Sequence, residues 1–399
     1  MKHLIYSTGF RWLHLDTDGV GPVIAMVTLR RLATELLGLF SPLYVFGIAQ
    51  GLGMSIKNSI LAVIFYMFLI YLAKFLTLPL AENASFRLGY RRTLILSTLP
   101  FFIFIGFLVF SRNQPLFLIL VAIFWGIHAA LFWFGYHGLF VKRGDHHHFG
   151  KQTGLCQTLY ILIGVLAPVF GGLVILKLGY QTLFIIAGAI FALGVMVALL
   201  SPEIKPRRDA RISNVFKLFK THKKMMAGYL GWAFESTLYA AIWPVFLFIL
   251  VGRILVFGEI ISAAVLVAAI ITYLVGLIVD RVGDKEVIRL GAIVDCFTWL
   301  GRIFIRTPLF IIGIDGVYRV TEQMLQVPLD VKSYKKAVTG GTGQALYFRE
   351  ISLGIGAVSG LILAALLVFL NFPLWSIFLL GALGALAPIF TTRKGKESV

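Results

Sequence analysis

The stretch GIDGVYRVTEQ, residues 313–323, places three ionisable side chains inside an otherwise apolar run. Asp315, Arg319 and Glu322 are four and three residues apart, so they share one face of an α-helix, which Gln326 extends. A charge at the centre of a bilayer costs about 2.5–3.5 kcal/mol on insertion scales, so these groups should face protein or water and pair with one another. The pattern predicts that Arg319 binds an anion or holds a carboxylate deprotonated, while Asp315 or Glu322 takes up a proton or ion. A structural salt bridge between helices is the alternative.

The composition predicts a membrane protein around this helix. The chain has 399 residues, of which 59% are hydrophobic and 14% charged, and a mean hydropathy of +0.91. Apolar stretches of about 20 residues recur from end to end, the length of helix that crosses a bilayer. The first 22 residues lack the apolar core of a cleavable signal. Cys156 and Cys296 fall in apolar spans and are interpreted as small buried hydrophobes, without a disulfide or zinc framework.

Turn signals divide the chain into twelve predicted transmembrane helices in an all-α fold. These span residues 32–53, 59–81, 93–111, 116–140, 153–177, 180–201, 225–251, 258–280, 286–305, 308–327, 341–370 and 373–391. A basic linker at 202–224 separates a six-helix bundle at 32–201 from a second at 225–391. Residues 1–31 are predicted to form an N-terminal cytoplasmic or interfacial segment, and residues 392–399 a cytoplasmic tail.

The charge distribution fits this topology. The formal net charge of +18 would suggest nucleic acid for a water-soluble protein, but here Lys and Arg concentrate in the loops of one side. The opposite loops hold only Lys57, Arg112, Lys177, Arg253 and Arg306. Because positive loops stay in the cytoplasm, we expect both termini to be cytoplasmic and no nucleic-acid partner.

Two loops at equivalent positions in the halves carry related motifs. The second-half loop GLIVDRVGDKEV, residues 276–287, has a Gly-x₃-Asp-Arg-x-Gly pattern followed by a basic residue: Gly276, Asp280, Arg281, Gly283 and Lys285. It resembles the inner-loop signature of the major facilitator superfamily. The first-half loop ENASFRLGYRR keeps Arg87, Gly89, Arg91 and Arg92 but has Phe86 in the acidic position, which weakens any charge relay there.

A third motif, APVFGG at 167–172, resembles an antiporter signature of the same superfamily through Pro168, Gly171 and Gly172, with Ala167 in place of the first Gly. The resemblance implies two pseudo-symmetric six-helix halves around a central cavity lined by the first, fourth, seventh and tenth spans. The tenth span is the one that carries Asp315.

That positional argument supplies further cavity candidates. They are Glu235, Ser236, Tyr239 and Trp243 in the seventh span and Trp125, His128, Trp133 and His137 in the fourth. His128 could titrate and couple protons. A lone histidine in a helical bundle is more often a hydrogen-bonded packing residue, and we favour that interpretation for His128. Glu35 is expected to pair locally with Arg31.

Two other charged pairs lie outside those spans. Asp295 and Arg302 in the ninth span are expected to pair with the tenth, with Arg319 a possible partner of Asp295. Arg349 and Glu350, near the inner end of the eleventh span, are expected to form a gate contact with the first half. The histidines of RGDHHHFGK, residues 143–151, fit a pH-sensitive loop better than a metal site, which needs fixed geometry.

The leading functional hypothesis is a secondary active transporter that exports an amphipathic or hydrophobic compound in exchange for protons. One alternative is symport uptake of a small anionic metabolite, in which Arg319 binds the anion. Another is a receptor or scaffold that keeps the fold without transporting. No motif for an enzyme or for ATP hydrolysis is present in the sequence, and no cofactor is implied. The expected partners are lipid, a small-molecule substrate and protons or another ion, in a monomer of a prokaryotic cytoplasmic (inner) membrane.

Overall fold

The computed structural model describes residues 20–145, 148–205, 218–279, 283–340 and 342–392, and every long element among them is helical. The helices are α1 Gly21–Gly51, α2 Ile56–Leu88, α3 Tyr90–Leu96, α4 Thr98–Phe110, α5 Phe117–Arg143, α6 Phe149–Ala198, α7 Lys223–Val251, α8 Ile254–Val279, α9 Asp284–Gly301, α10 Pro308–Gly340, α11 Thr342–Phe369 and α12 Ser376–Leu386. Short 3₁₀ turns at Arg302–Phe304 and Ala387–Thr392 follow α9 and α12.

These helices form twelve crossing segments in the described part of the chain, as predicted. Helices α3 and α4 continue one another as a single apolar segment, Tyr90–Phe110. Helix α6 is two segments, because Gly179 interrupts it with φ +84° and ψ 169°, a conformation open to glycine. Eight helices of the described residues are long and apolar enough to cross a membrane. The structure is therefore the all-α, two-half fold expected from the sequence.

Two helices are longer than predicted. Helix α1 begins at Gly21 rather than 32, with Pro22 in its first turn, where a missing N–H costs nothing. Helix α10 continues through Pro328 to Gly340. Leu329 and Tyr334 beyond that proline are buried, so tertiary packing holds the helix past its breaker. Residues 21–31 and 328–340 are thus helical.

The linker closes the first half at one end of the bundle, which we call the linker end. Glu203 accepts hydrogen bonds from the backbone N–H groups of Arg91 (3.0 Å) and Arg92 (2.9 Å) at the start of α3. The side chain of Arg91 in turn donates to the Ser201 carbonyl at 2.8 Å. Phe86 leaves the loop motif without its acid, and Glu203 supplies a carboxylate beside that loop from the linker.

The two halves also meet at the opposite end, where the 51–56 and 369–376 connections lie. Lys57 on α2 donates to the Phe369 carbonyl (3.0 Å) and to Asn371 Oδ1 (2.6 Å) after α11. In the APVFGG motif, the Pro168 carbonyl lies against Gly258 of α8, so closely that a Cβ on Gly258 would collide with it.

Both glycines of the APVFGG motif permit close packing of α6. Gly171 packs against the ring of Phe40 on α1, and a Cβ on Gly172 would lie 3.2 Å from the Ile254 carbonyl. The motif is therefore a packing surface between α6, α1 and α8.

Candidate functional site

Polar side chains run along one face of α10 through most of its length. The predicted stripe of Asp315, Arg319, Glu322 and Gln326 continues at the same spacing with Asp330 and Tyr334, because the helix does not end at 327. The stripe passes through three surroundings: a buried cluster inside the second half, a small cavity between the halves, and a larger cavity toward the linker end.

Asp315 belongs to the buried cluster and is fully enclosed. It accepts hydrogen bonds from the Tyr239 hydroxyl at 2.7 Å and from Arg319 Nε at 3.1 Å. Arg302 lies 4.0 Å away. Because all of these partners come from the second half, the interactions of Asp315 organise that half internally.

Arg302 is enclosed by four aromatic rings. Its guanidinium carbon lies 4.3 Å from the ring centre of Trp299, 4.4 Å from Tyr318, 4.7 Å from Trp243 and 5.1 Å from Tyr239. No hydrogen bond to its guanidinium is found among the described residues, so cation–π attraction and Asp315 are its stabilising contacts. Trp243, a predicted cavity residue, packs against this cation instead.

The other acids of the second half are also internal. Glu235 is fully buried and accepts from Trp299 Nε1 at 3.0 Å and from the Tyr318 hydroxyl at 3.3 Å. Asp295 accepts from Thr298 and Thr321, both at 3.1 Å. The expected contacts of Asp295 and Arg302 with α10 are confirmed, but Arg319 pairs with Asp315, so its predicted pairing with Asp295 is wrong.

Two predicted cavity residues on α5 lie in the core of the first half. His128 is fully buried and its Nδ1 lies 2.9 Å from the Ser97 carbonyl, among the rings of Phe101 and Phe132. Trp125 stacks on Phe104 with ring centres 5.0 Å apart. The packing interpretation of His128 is correct, and neither side chain lines the cavities described below.

The larger cavity, about 180 Å³, lies between the halves toward the linker end. Helices α2, α5 and α6 line it from the first half, and α7, α10 and α11 from the second. Its ionisable side chains, apart from tyrosines and Cys156, are Lys74, His137, Asp330, Arg349 and Glu350. Of the predicted α5 residues, Trp133 and His137 are the two that reach it.

A continuous charge network joins the halves across this cavity. Lys74 on α2 lies 2.8 Å from Glu350 on α11, which also contacts the neighbouring Arg349. Arg349 extends to Asp330 on α10 at 2.6 Å and to His137 Nε2 on α5 at 3.2 Å. Arg349 and Glu350 therefore contact the first half as expected, and their role as a gate stays a prediction.

A second cavity of about 50 Å³ lies farther from the linker end, between α1 and α6 of the first half and α8 and α10 of the second. Arg31 and Glu35 form the expected local pair there at 3.0 Å, and they share the cavity with Arg319 and Glu322. Gln157, Tyr160 and Gln326 line both cavities. Three polar side chains thus border both the cavity of Arg319 and Glu322 and the cavity of the central network.

The second-half loop motif lies partly outside the described residues. Asp280 and Arg281 fall there, and Gly276 is described only as part of α8. Gly283 precedes α9, and Lys285 in its first turn is exposed. In the first-half loop, Arg87 donates to Asn83 Oδ1 at 3.2 Å.

The loop before α6 is described only in part. His146 and His147 lie outside the described residues. Nδ1 of His148, the third histidine of the run, lies 2.7 Å from Asp145 Oδ2. In the described part of this loop, the histidine is therefore paired with a carboxylate.

Sequence reasoning did not identify Lys74, Asp330 or Tyr334. Lys74 had a usable signal, because it is a single charge within the apolar run FYMFLIYLAKFLTLPL and such charges face protein or water. Asp330 and Tyr334 were excluded by the predicted end of the tenth span. Glu203 lies in the predicted linker, where no sequence pattern distinguishes it from the other charged residues.

Comparison with known proteins agrees with the helical architecture. The sequence profile described as Major Facilitator Superfamily matches residues 32–318. A search of curated proteins finds no match.

Two solved structures align with nearly the whole chain. One is a crystal structure of a Major Facilitator Superfamily (MFS) transporter, FucP, in the outward conformation: 14% identity, 93% of this chain, 96% of that chain and a TM-score of 0.67. The other is an auto-inhibited POT family peptide transporter: 11% identity, 94% of this chain, 95% of that chain and a TM-score of 0.68. At these identities the similarity shows the fold.

Proposed function

The chain belongs to the major facilitator superfamily, and from this premise we propose that it is a secondary active transporter of a small polar solute. The solute binds in the larger cavity and crosses the membrane as the two halves alternately open at either end. We further propose that the linker end faces the cytoplasm of a prokaryotic cell, in keeping with its basic loops.

The observation that carries this proposal is the charged cavity between the halves. Each half contributes ionisable groups to it, Lys74 and His137 from the first and Asp330, Arg349 and Glu350 from the second. Intramembrane charges are costly unless they pair or act. Here the same groups both line the space and join its walls, so a solute that binds them changes the contact between the halves.

The cavity supports a small polar solute over a large amphipathic one. Sites for drug-sized ligands usually occupy about 300–1,000 Å³, whereas this cavity measures about 180 Å³. Its charged groups converge with the amides of Gln157 and Gln326. Lys74 and Arg349 are the cations that an anionic group of the solute would bind in place of Glu350 and Asp330, so we favour a small anion over a hydrophobic compound as the solute.

Alternating access requires that each end of the bundle can close in turn, and a contact between the halves at each end is consistent with this. The Lys74–Glu350 bridge links α2 and α11 toward the linker end, and Lys57 links α2 to the carbonyl of Phe369, the last residue of α11, at the opposite end. Because both contacts involve the same two helices, a rocking motion would break one while keeping the other.

Transport is tested in liposomes that contain the purified protein and an internal pH dye. Pools of small carboxylates, amino acids, sugars and amphipathic cations are offered to wild type, Glu322→Gln and Arg319→Ala. Glu259→Gln is the matched control, because Glu259 is exposed on α8. We expect a small polar pool to move protons with the solute in wild type and in the control.

The two stripe variants are expected to lose solute flux, and with it the proton movement that accompanies the solute, while remaining folded. Flux of the amphipathic pool alone would contradict the proposed substrate class. Saturable binding of a solute without flux would contradict transport and favour a receptor with this fold. Stripe variants that behave as wild type would mean that Arg319 and Glu322 are structural.

A further inference from the structure

We propose that His137 is the site where the coupling proton binds, and that its protonation unfastens the two halves at the linker end. This inference rests on the proposed transport function and assigns its coupling-ion site. His137 lies on α5 of the first half, it is buried, and its two ring nitrogens contact two different helices of the second half.

The contacts of His137 fix its neutral tautomer. Arg349 Nη1 lies 3.2 Å from Nε2, and a guanidinium can only donate hydrogen bonds. Nε2 is therefore the unprotonated nitrogen. Nδ1 carries the hydrogen and donates to the Tyr334 hydroxyl, 2.9 Å away.

Protonation is incompatible with this arrangement. A proton that arrives from cavity water binds the lone pair of Nε2, so the imidazole becomes a cation with a donor at each nitrogen. Arg349 then faces a second cation and loses its acceptor on α5, but it keeps its bonds to Asp330 and Glu350. The nearest carboxylate oxygen, Glu350 Oε1 at 4.0 Å from Nε2, already pairs with Arg349, so the new N–H competes with that pair and weakens the network.

The four charged groups of the network beside His137 balance one another before the proton arrives. Lys74 and Arg349 offset Asp330 and Glu350 in the network. Arg30 on α1 adds a further cation. The other titratable groups that face the site are Tyr71 on α2, Tyr136 on α5, Cys156 and Tyr160 on α6, and Tyr334 on α10. The added charge is therefore offset by an anionic group of the solute or by opening of the cavity to water. A proton and an anion are expected to enter together.

Cys156 provides a readout that requires no solute. It lines the same cavity and is buried, and the sequence has two cysteines, so Cys296→Ser leaves it as the single thiol. The rate of maleimide labelling in detergent is measured across pH 5–8, and each rate is divided by the rate for the same protein unfolded at the same pH. This correction removes the intrinsic pH dependence of the thiol.

In the Cys296→Ser background we expect labelling to rise about 5-fold or more as the pH falls, the lower limit of an ordinary coupling between sites. His137→Gln keeps an acceptor for Arg349 and should label slowly at every pH. Tyr334→Phe keeps the imidazole but removes the acceptor of its Nδ1–H. Its labelling should remain pH-dependent, because Nε2 can still take up the proton.

His148→Gln is the matched control, because this histidine sits on the loop before α6, and it should behave as the background does. A pH-dependent profile that persists in His137→Gln, or a background that labels equally at every pH, would overturn the assignment. Loss of pH dependence in Glu322→Gln but not in His137→Gln would instead assign the proton-binding site to Glu322. Since labelling needs no solute, these outcomes are independent of whether any pool is transported.

Discussion

Replacing Lys74 with methionine should weaken the contact that holds the halves together at the linker end. Methionine keeps most of the aliphatic stem, so packing along α2 changes little, while the ammonium group is removed. Glu350 keeps its contact with Arg349 and is not left as an unpaired buried charge. The variant therefore reports mainly on the bridge between α2 and α11.

The size of the effect follows from the geometry of the pair. Lys74 and Glu350 are 2.8 Å apart, with side chains 15% and 1% exposed. At an effective dielectric constant of about 20 their attraction is about 6 kcal/mol, most of which is cancelled by the cost of removing both charges from water. A net loss of about 1–3 kcal/mol would raise the ratio of open to closed protein about 5–150-fold.

Maleimide labelling of Cys156 in the Cys296→Ser background measures this ratio, because the thiol is shielded in the closed cavity. Under conditions where closing is faster than labelling, the labelling rate is proportional to the open fraction. We expect Lys74→Met to label at least about 5-fold faster at neutral pH. Thermal denaturation of the same samples shows whether global unfolding contributes.

Lys57→Met is the matched control, since Lys57 lies on the same helix and joins the same partner helix at the opposite end. Its contacts are exposed and are expected to contribute less than about 1 kcal/mol. It should leave Cys156 labelling within a few-fold of the background. Equal acceleration by both variants, or none by Lys74→Met, would refute the view that the Lys74–Glu350 bridge closes the linker end.

Two further predictions concern stability. Gly258→Ala should lower the melting temperature in detergent by an amount that corresponds to about 1–3 kcal/mol, because the added methyl meets the backbone carbonyl of Pro168, which cannot rotate away. The control Gly313→Ala, whose added methyl has nothing within 4 Å, should be neutral or slightly stabilising. Similar losses of stability in both variants would contradict this packing. Glu203→Gln should lower the free energy of unfolding by about 1 kcal/mol, since the carboxylate accepts hydrogen bonds from two N–H groups at the start of α3. The control Glu259→Gln should leave stability unchanged. An unchanged melting temperature for Glu203→Gln would exclude a stabilising role for the linker contact.

Hydropathy and periodicity predicted much of the fold. Apolar runs of membrane-spanning length identify the class of protein, and turn residues divide those runs near the observed helix ends. The largest errors in helix boundaries occurred where polar residues or a proline lie in a helix that packing against other helices stabilises, as in residues 21–31 and after Pro328. Local sequence indicates where a helix is intrinsically weak, but burial against other helices decides whether it continues.

Local spacing also predicted contacts within one helix. Arg31 and Glu35 are four residues apart and form a pair, as do Asp315 and Arg319. Such pairs depend only on the pitch of the α-helix, so the sequence alone is sufficient.

Contacts between helices were decided by the tertiary structure. His128 and His137 are nine residues apart, and at about 100° per residue they point to opposite sides of α5. The sequence thus indicates that His128 and His137 cannot both face the cavity. Helix α5 is apolar on all sides, so no polar face shows which way it turns. Packing of α5 against α2 and α4 buries His128 and leaves His137 beside Arg349 and Tyr334, residues about 200 positions away in the chain.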